Sequence, residues 1–291
     1  MPFACPFCRR PVEPVDAVEC PDCGRALLVP IDPPATSSVA DHLRDGVAAA
    51  RAGDYDRAVT AFTRALAADS RSVKALGNRG YARAARREYD AALADFDAAL
   101  ILDPHFAAAH NNRGLALVAL GRYADAAAAF DRALAVDPDL TLAHHNRGMA
   151  RAALGDHARA VADFDRTLKT RPDLANAFHN RGFSHTALGS FAAALADYGE
   201  AVRLRPGEPH GWCNRGIVHV LVGDAAAALA DYDMALRLAR DFADAFFLRG
   251  DLHRSRGRLV EAAADFAEVT RLRPGDAAAA ARLAECLAAA A

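Results

Sequence analysis

The sequence has no apolar run approaching the roughly 18–20 bulky residues that a membrane span needs. Hydrophobic residues make up 53% of it, but much of that is alanine, in short runs such as Ala126 to Ala129. The chain opens Met1-Pro2-Phe3-Ala4-Cys5, with no basic segment leading into an apolar one, so no signal peptide is expected. An excess of either charge is also missing. The 35 lysines and arginines against 37 aspartates and glutamates leave a formal net charge of -2, too little positive field to recruit nucleic acid or anionic lipid. There is no phosphate-cradling glycine loop, no nucleophile elbow and no constrained carboxylate pair, so the usual signatures of an enzyme are absent. Cysteine is scarce, with six in 291 residues. Without an export signal a cytoplasmic, reducing compartment is expected. The cysteines then read as metal ligands or free thiols before disulfides.

What the sequence does have is a period. Asn-Arg-Gly recurs at Asn78-Arg79-Gly80, Asn112-Arg113-Gly114, Asn146-Arg147-Gly148, Asn180-Arg181-Gly182 and Asn214-Arg215-Gly216, each glycine 34 residues after the last. The ladder extends to Gly46 before it and to Arg249-Gly250 after it. A fixed period of this length marks a stacked-repeat architecture. With Gly46 set at position 8, the repeats start at Val39, Val73, Ala107, Thr141, Ala175, Pro209 and Ala243. Position 20 is then alanine throughout: Ala58, Ala92, Ala126, Ala160, Ala194, Ala228 and Ala262. Position 24 is always aromatic: Phe62, Phe96, Phe130, Phe164, Tyr198, Tyr232 and Phe266. Position 15 is glycine except for Arg87, and position 32 is proline except for Ser70 and Arg240.

These residues describe a helical hairpin. Glycine at position 15 ends a first helix in a conformation other residues resist, and proline at position 32 stops the second. Small residues at positions 8 and 20 let the two helices approach, while the aromatic at position 24 fills the space beside them. The pattern resembles the tetratricopeptide repeat. That resemblance implies an all-α fold: a right-handed solenoid of seven 34-residue helix-turn-helix repeats (39–72, 73–106, 107–140, 141–174, 175–208, 209–242 and 243–276), then a C-terminal capping helix at 277–291. It also implies that the array encloses most of a superhelical turn, with a concave groove.

The first residues belong to something else. Cys5-Pro6-Phe7-Cys8 and Cys20-Pro21-Asp22-Cys23-Gly24 are paired C-x-x-C turns. Four thiolates so spaced can close a tetrahedral Zn²⁺ site, and binding would supply the folding energy that so short a segment lacks. The segment resembles a zinc ribbon over 1–31, with one structural zinc on Cys5, Cys8, Cys20 and Cys23. Residues 32–38 read as a linker. Disulfides are the alternative for these four cysteines, and a catalytic zinc is disfavoured because no coordination position stays open. Arg9, Arg10 and Arg25 face Glu13, Asp16, Glu19 and Asp22 in the ribbon, a poor balance for binding phosphate.

Helix geometry suggests a ligand face. Position 6 lies about 200° round the helix from position 8, which must face the partner helix. Asn78, Asn112, Asn146, Asn180 and Asn214 are therefore expected on the inner surface, beside an apolar stripe at position 9 of Tyr81, Leu115, Met149, Phe183 and Ile217. An asparagine amide can grip a peptide backbone without reading its sequence. The alternatives are that the asparagines tie adjacent helices and that the stripe packs between repeats. Arg79, Arg113, Arg147, Arg181 and Arg215 are expected to form intramolecular ion pairs, since Asp95, Asp163, Asp197 and Asp231 recur at position 23. His145, His179 and Cys213 share position 5 but sit too far apart to hold one metal. Cys213 and Cys286 stand alone and are expected to be inert.

The function these features imply is a non-enzymatic scaffold or adaptor that binds an extended peptide or protein partner in the groove, with no membrane association. An alternative gives nucleic acid to the zinc ribbon and partner recruitment to the repeats. The sequence does not name the partner.

Overall fold

A computed structural model describes residues 3–4, 11–12 and 38–290. Cys5, Cys8, Cys20 and Cys23 lie outside the described residues, as do 32–37 of the expected linker at 32–38, whose last residue, Ser38, already begins a helix. Near the start, β1 (Phe3–Ala4) and β2 (Pro11–Val12) pair antiparallel, with Phe3 opposite Val12 and Ala4 opposite Pro11.

Fifteen helices follow among the described residues, and the fold is all-α in character. The chain divides into two compact units, Met1–Pro172 and Asp173–Ala291. The first holds α1 (Ser38–Arg51), α2 (Tyr55–Ala68), α3 (Val73–Ala85), α4 (Tyr89–Leu102), α5 (Ala107–Ala119), α6 (Tyr123–Val136), α7 (Thr141–Ala153) and α8 (His157–Thr170). The second holds α9 (Ala175–Ala187), α10 (Phe191–Leu204), α11 (Pro209–Leu221), α12 (Ala225–Leu238), α13 (Ala243–Ser255), α14 (Leu259–Leu272) and α15 (Ala277–Ala290). Within each unit, odd-numbered helices pack on the following even-numbered one, and α15 packs on α14.

The hairpin chemistry explains the packing. Every position-20 alanine is fully buried, and every position-24 aromatic is at most 2% exposed. Position 8 is glycine because the aromatic ring lies against it. A Cβ on Gly114 would stand 2.5 Å from the Phe130 ring, and one on Gly216 would stand 2.7 Å from Tyr232. The glycine turns at position 15 have φ between 72° and 85°. Arg87 takes the same left-handed conformation at φ 65°, the only non-glycine residue to do so among the described residues. Asp54, Ser72, Asp156 and Asp224 cap the helices they precede by accepting a backbone N–H at the N-terminus.

Candidate functional site

The expected ligand face is not uniformly exposed. Asn78 on α3, Asn112 on α5 and Asn146 on α7 are buried, at 0%, 6% and 0% exposure. Asn180 on α9 and Asn214 on α11 are half-buried. The first helices also meet one another: α3, α5 and α7 pack in sequence, as do α9, α11 and α13. Asn146 Nδ2 donates to Asn111 Oδ1 at 3.1 Å, and Asn111 Nδ2 reaches Asn112 Oδ1 at 3.5 Å. In the second unit, Asn214 Nδ2 lies 3.1 Å from His179 Nε2. Both links join position 6 of one repeat to position 5 of the repeat before. An amide N–H can donate to His179 only if that ring nitrogen is unprotonated. Burial, and then the nearby His210, pushes the His179 pKa down and favours that neutral form.

The position-9 stripe divides in the same way. Tyr81 is 2% exposed, in edge-on contact with Tyr55 at a centroid separation of 6.3 Å, and Leu115 is 3% exposed. Both belong to the core of the first unit. Met149 and Ile217 are half-buried, and Phe183 is 52% exposed. Near Ile217 the second unit opens an apolar cleft of about 350 Å³ between α11 and α13. Ile217, Val220, Leu221, Leu248 and Leu252 form its walls over the Tyr232 ring, and Asp251, Arg254 and Ser255 form a polar rim. Leu248 stands at position 6, where five earlier repeats carry asparagine.

The arginines at position 7 form the expected pairs. Arg79 grips Asp95 through Nε and Nη2 at 3.0 and 2.7 Å. Arg181 holds Asp197 at 2.9 and 2.6 Å, and Arg215 holds Asp231 at 2.8 and 2.6 Å. Arg147 grips Asp163 by the same two nitrogens and adds Asp131 through Nη1 at 2.6 Å. Arg249 pairs with Asp265 likewise and reaches Asp233 through Nη1, a fifth such pair that the position-23 aspartates named above did not include. These five carboxylates are 2–4% exposed, so each is a buried charge made tolerable by a bidentate partner. Burial alone would push Asp163 up. His144, Arg147 and Arg151 outweigh it and hold the carboxyl below its ordinary value. Arg113 is the exception: among the described residues it donates only to Asp97, at 2.7 Å, because position 23 of its own repeat is Ala129.

The isolated cysteines are not poised for chemistry. Cys213 and Cys286 are buried and unbridged, and burial pushes the Cys213 thiol up to about 12. Among the described residues, no three His, Cys, Asp or Glu side chains are placed to hold a metal. No described helix is long and apolar enough to cross a membrane.

Comparison with known proteins agrees with this architecture. A family model described as Tetratricopeptide repeat matches residues 43–105, 82–141, 111–175, 145–209, 180–241 and 213–277. No curated protein matches. Among solved structures, a tetratricopeptide repeat protein from Parabacteroides merdae aligns over 86% of this chain and 99% of its own, with TM-score 0.63 and 18% identity. PilW, described as a widely conserved type IV pilus biogenesis factor, aligns over 72% of this chain and 97% of its own, with TM-score 0.65 and 24% identity. YrrB, described as a TPR protein with an unusual peptide-binding site, aligns over 63% of this chain and 95% of its own, with TM-score 0.57 and 22% identity. At these identities the likeness is one of fold.

Proposed function

The chain belongs to the tetratricopeptide repeat family, and on that premise we propose that it is a non-enzymatic scaffold that binds an extended segment of a partner protein along its first helices. The observation that carries this reading is the apolar cleft between α11 and α13. Its volume suits one or two apolar side chains, and its walls offer exposed aliphatic surface at Val220 and Leu221, 40% and 51% exposed. Phe183 on α9, half exposed, extends apolar surface within the same unit. Asn180 and Asn214, on the first helices of that unit, are only half-buried, and an asparagine amide suits a peptide backbone. In the first unit the equivalent asparagines, with Tyr81 and Leu115, serve packing, and Met149 remains half-buried. The likeness to YrrB supports a peptide as ligand, since that protein is described by its peptide-binding site.

The zinc reading remains part of the proposal. Cys5, Cys8, Cys20 and Cys23 have the spacing of a closed four-thiolate site, and β1 and β2 flank the first pair along the chain. The metal's contribution would be structural.

Selection of a random peptide library on the immobilised full-length chain tests the peptide reading. The enriched peptides are expected to share an apolar anchor, and to bind at least tenfold more weakly to Ile217→Asp and Leu248→Asp variants that retain wild-type helicity. Peptides that bind these variants as well as wild type would overturn it.

A further inference from the structure

The position-7 arginines of five repeats are closed by their own buried aspartates: Arg79 by Asp95, Arg147 by Asp163, Arg181 by Asp197, Arg215 by Asp231 and Arg249 by Asp265. In the repeat that begins at Ala107, the arginine is kept and the aspartate is replaced by Ala129. Arg113 turns to Asp97 on α4 through Nε alone, and among the described residues neither Nη makes a hydrogen bond. Its side chain is 30% exposed, more than Arg147 at 16% or Arg79 at 17%.

A cavity of about 320 Å³ opens at this place, lined by Asp97 and Leu100 of α4, His110 and Arg113 of α5, and Ala128, Ala129 and Arg132 of α6. Arg132 is exposed and makes no hydrogen bond or ion pair among the described residues. Asp97 is itself 53% exposed, so water weakens its hold on Arg113.

A matched crevice in the second unit isolates the cause. Asp233, Leu236, Phe246 and Arg249 occupy the same repeat positions there as Asp97, Leu100, His110 and Arg113, beside a cavity of about 490 Å³ that also carries Arg237 and Arg240. Basic charge and open space are thus present in both. In that crevice, however, Nε and Nη2 of Arg249 are taken by Asp265 and Nη1 by Asp233. Of these two crevices, the one at Ala129 combines an arginine fork with a missing carboxylate.

We propose that the crevice between α4, α5 and α6 binds a carboxylate side chain of an acidic partner polypeptide, gripped by the free Nη donors of Arg113 with Arg132 beside it. The planar fork matches a carboxylate and supplies the pair that Ala129 removed. Charge favours one carboxylate over a phosphate. Arg113, Arg132 and Asp97 sum to a single positive charge, which a carboxylate neutralises and a phosphate dianion over-compensates against Asp97. Leu100, Ala128 and Ala129 give the methylene groups of the acidic side chain an apolar rest. The site does not depend on the cleft between α11 and α13, and either can fail without the other.

The test is an NMR titration of the full-length, ¹⁵N-labelled chain with a blocked Ala-Asp-Ala-Glu-Ala peptide, its Asn/Gln analogue and inorganic phosphate. The acidic peptide is expected to give saturable shifts at the Arg113 side-chain N–H and the Ala128, Ala129 and Arg132 amides, with the Arg249 signals unmoved. The neutral analogue is expected to give none. Ala129→Asp, which recreates the pair found in five other repeats, should weaken the response at least fivefold, and Arg113→Gln should do the same. Shifts that survive both variants, the lack of any saturable shift, or phosphate binding as tightly as the acidic peptide would each overturn the assignment.

Discussion

Asn146 donates through Nδ2 to Oδ1 of Asn111, 3.1 Å away on the preceding first helix, and Asn146 is fully buried. Asn146 thus joins its repeat to the one before it. Its removal leaves a buried acceptor on Asn111 without that donor. Asn146→Ala is expected to destabilise the chain by about 1–3 kcal/mol, the cost of orphaning a buried polar group. Urea unfolding followed by circular dichroism measures it. A change within error would mean that water or a rotated amide replaces the bond.

Arg87 tests the turn. It holds φ 65° where six other repeats use glycine, a conformation costing an ordinary residue roughly 1–2 kcal/mol. Arg87→Gly is expected to raise stability by about 1 kcal/mol after the extra freedom of glycine in the unfolded chain is set against it. A lowered urea midpoint would show that the arginine side chain compensates for its backbone.

Asp163 links the ion pairs to acid stability. Its carboxyl is held below its ordinary value of 3.8 in the folded chain. The stability it contributes is therefore fully present above that ordinary value, and is lost as pH falls through the lower folded one. Asp163→Asn is expected to cost about 2–3 kcal/mol at pH 7, because Arg147 loses its buried carboxylate and keeps the exposed Asp131 as its anionic partner. The gap between variant and wild type should narrow as the pH is brought towards 3 and below. A gap that stays constant across this range would assign the loss to packing and not to charge.

The zinc proposal makes a stoichiometric claim. Elemental analysis of protein purified without chelator is expected to find one zinc per chain, and Cys5→Ser with Cys20→Ser should abolish it. Cys213, buried and with its thiol pushed up to about 12, is expected to resist iodoacetamide at pH 8 in the native chain. A metal-free preparation, or a mass showing two disulfides, would remove zinc from the account.

Much of the fold is legible from residue columns because each repeat solves the same local problem. The glycine at position 8, the alanine at position 20 and the aromatic at position 24 meet within one hairpin, so their spacing alone dictates which faces touch. The Arg–Asp pairs are legible for the same reason, with a separation of 16 residues from Arg79 to Asp95 and from Arg147 to Asp163. The break at Ala129 is visible in the same column, but it means little until Arg113 is seen turned aside to Asp97.

Positions 6 and 9 were decided by the tertiary structure. Helix geometry expects them away from their own partner helix. Whether that side meets solvent depends on the next first helix, and hence on how repeats stack, which a 34-residue period does not specify. In the first unit the stacking buries Asn78, Asn112, Tyr81 and Leu115. In the second, Phe183, Val220 and Leu221 remain partly in water, and the apolar cleft beside Leu248 opens between α11 and α13. Contacts inside a repeat follow from sequence because one chain segment makes both partners. Contacts between repeats depend on side-chain volume at every step of the stack, and only the assembled helices determine them.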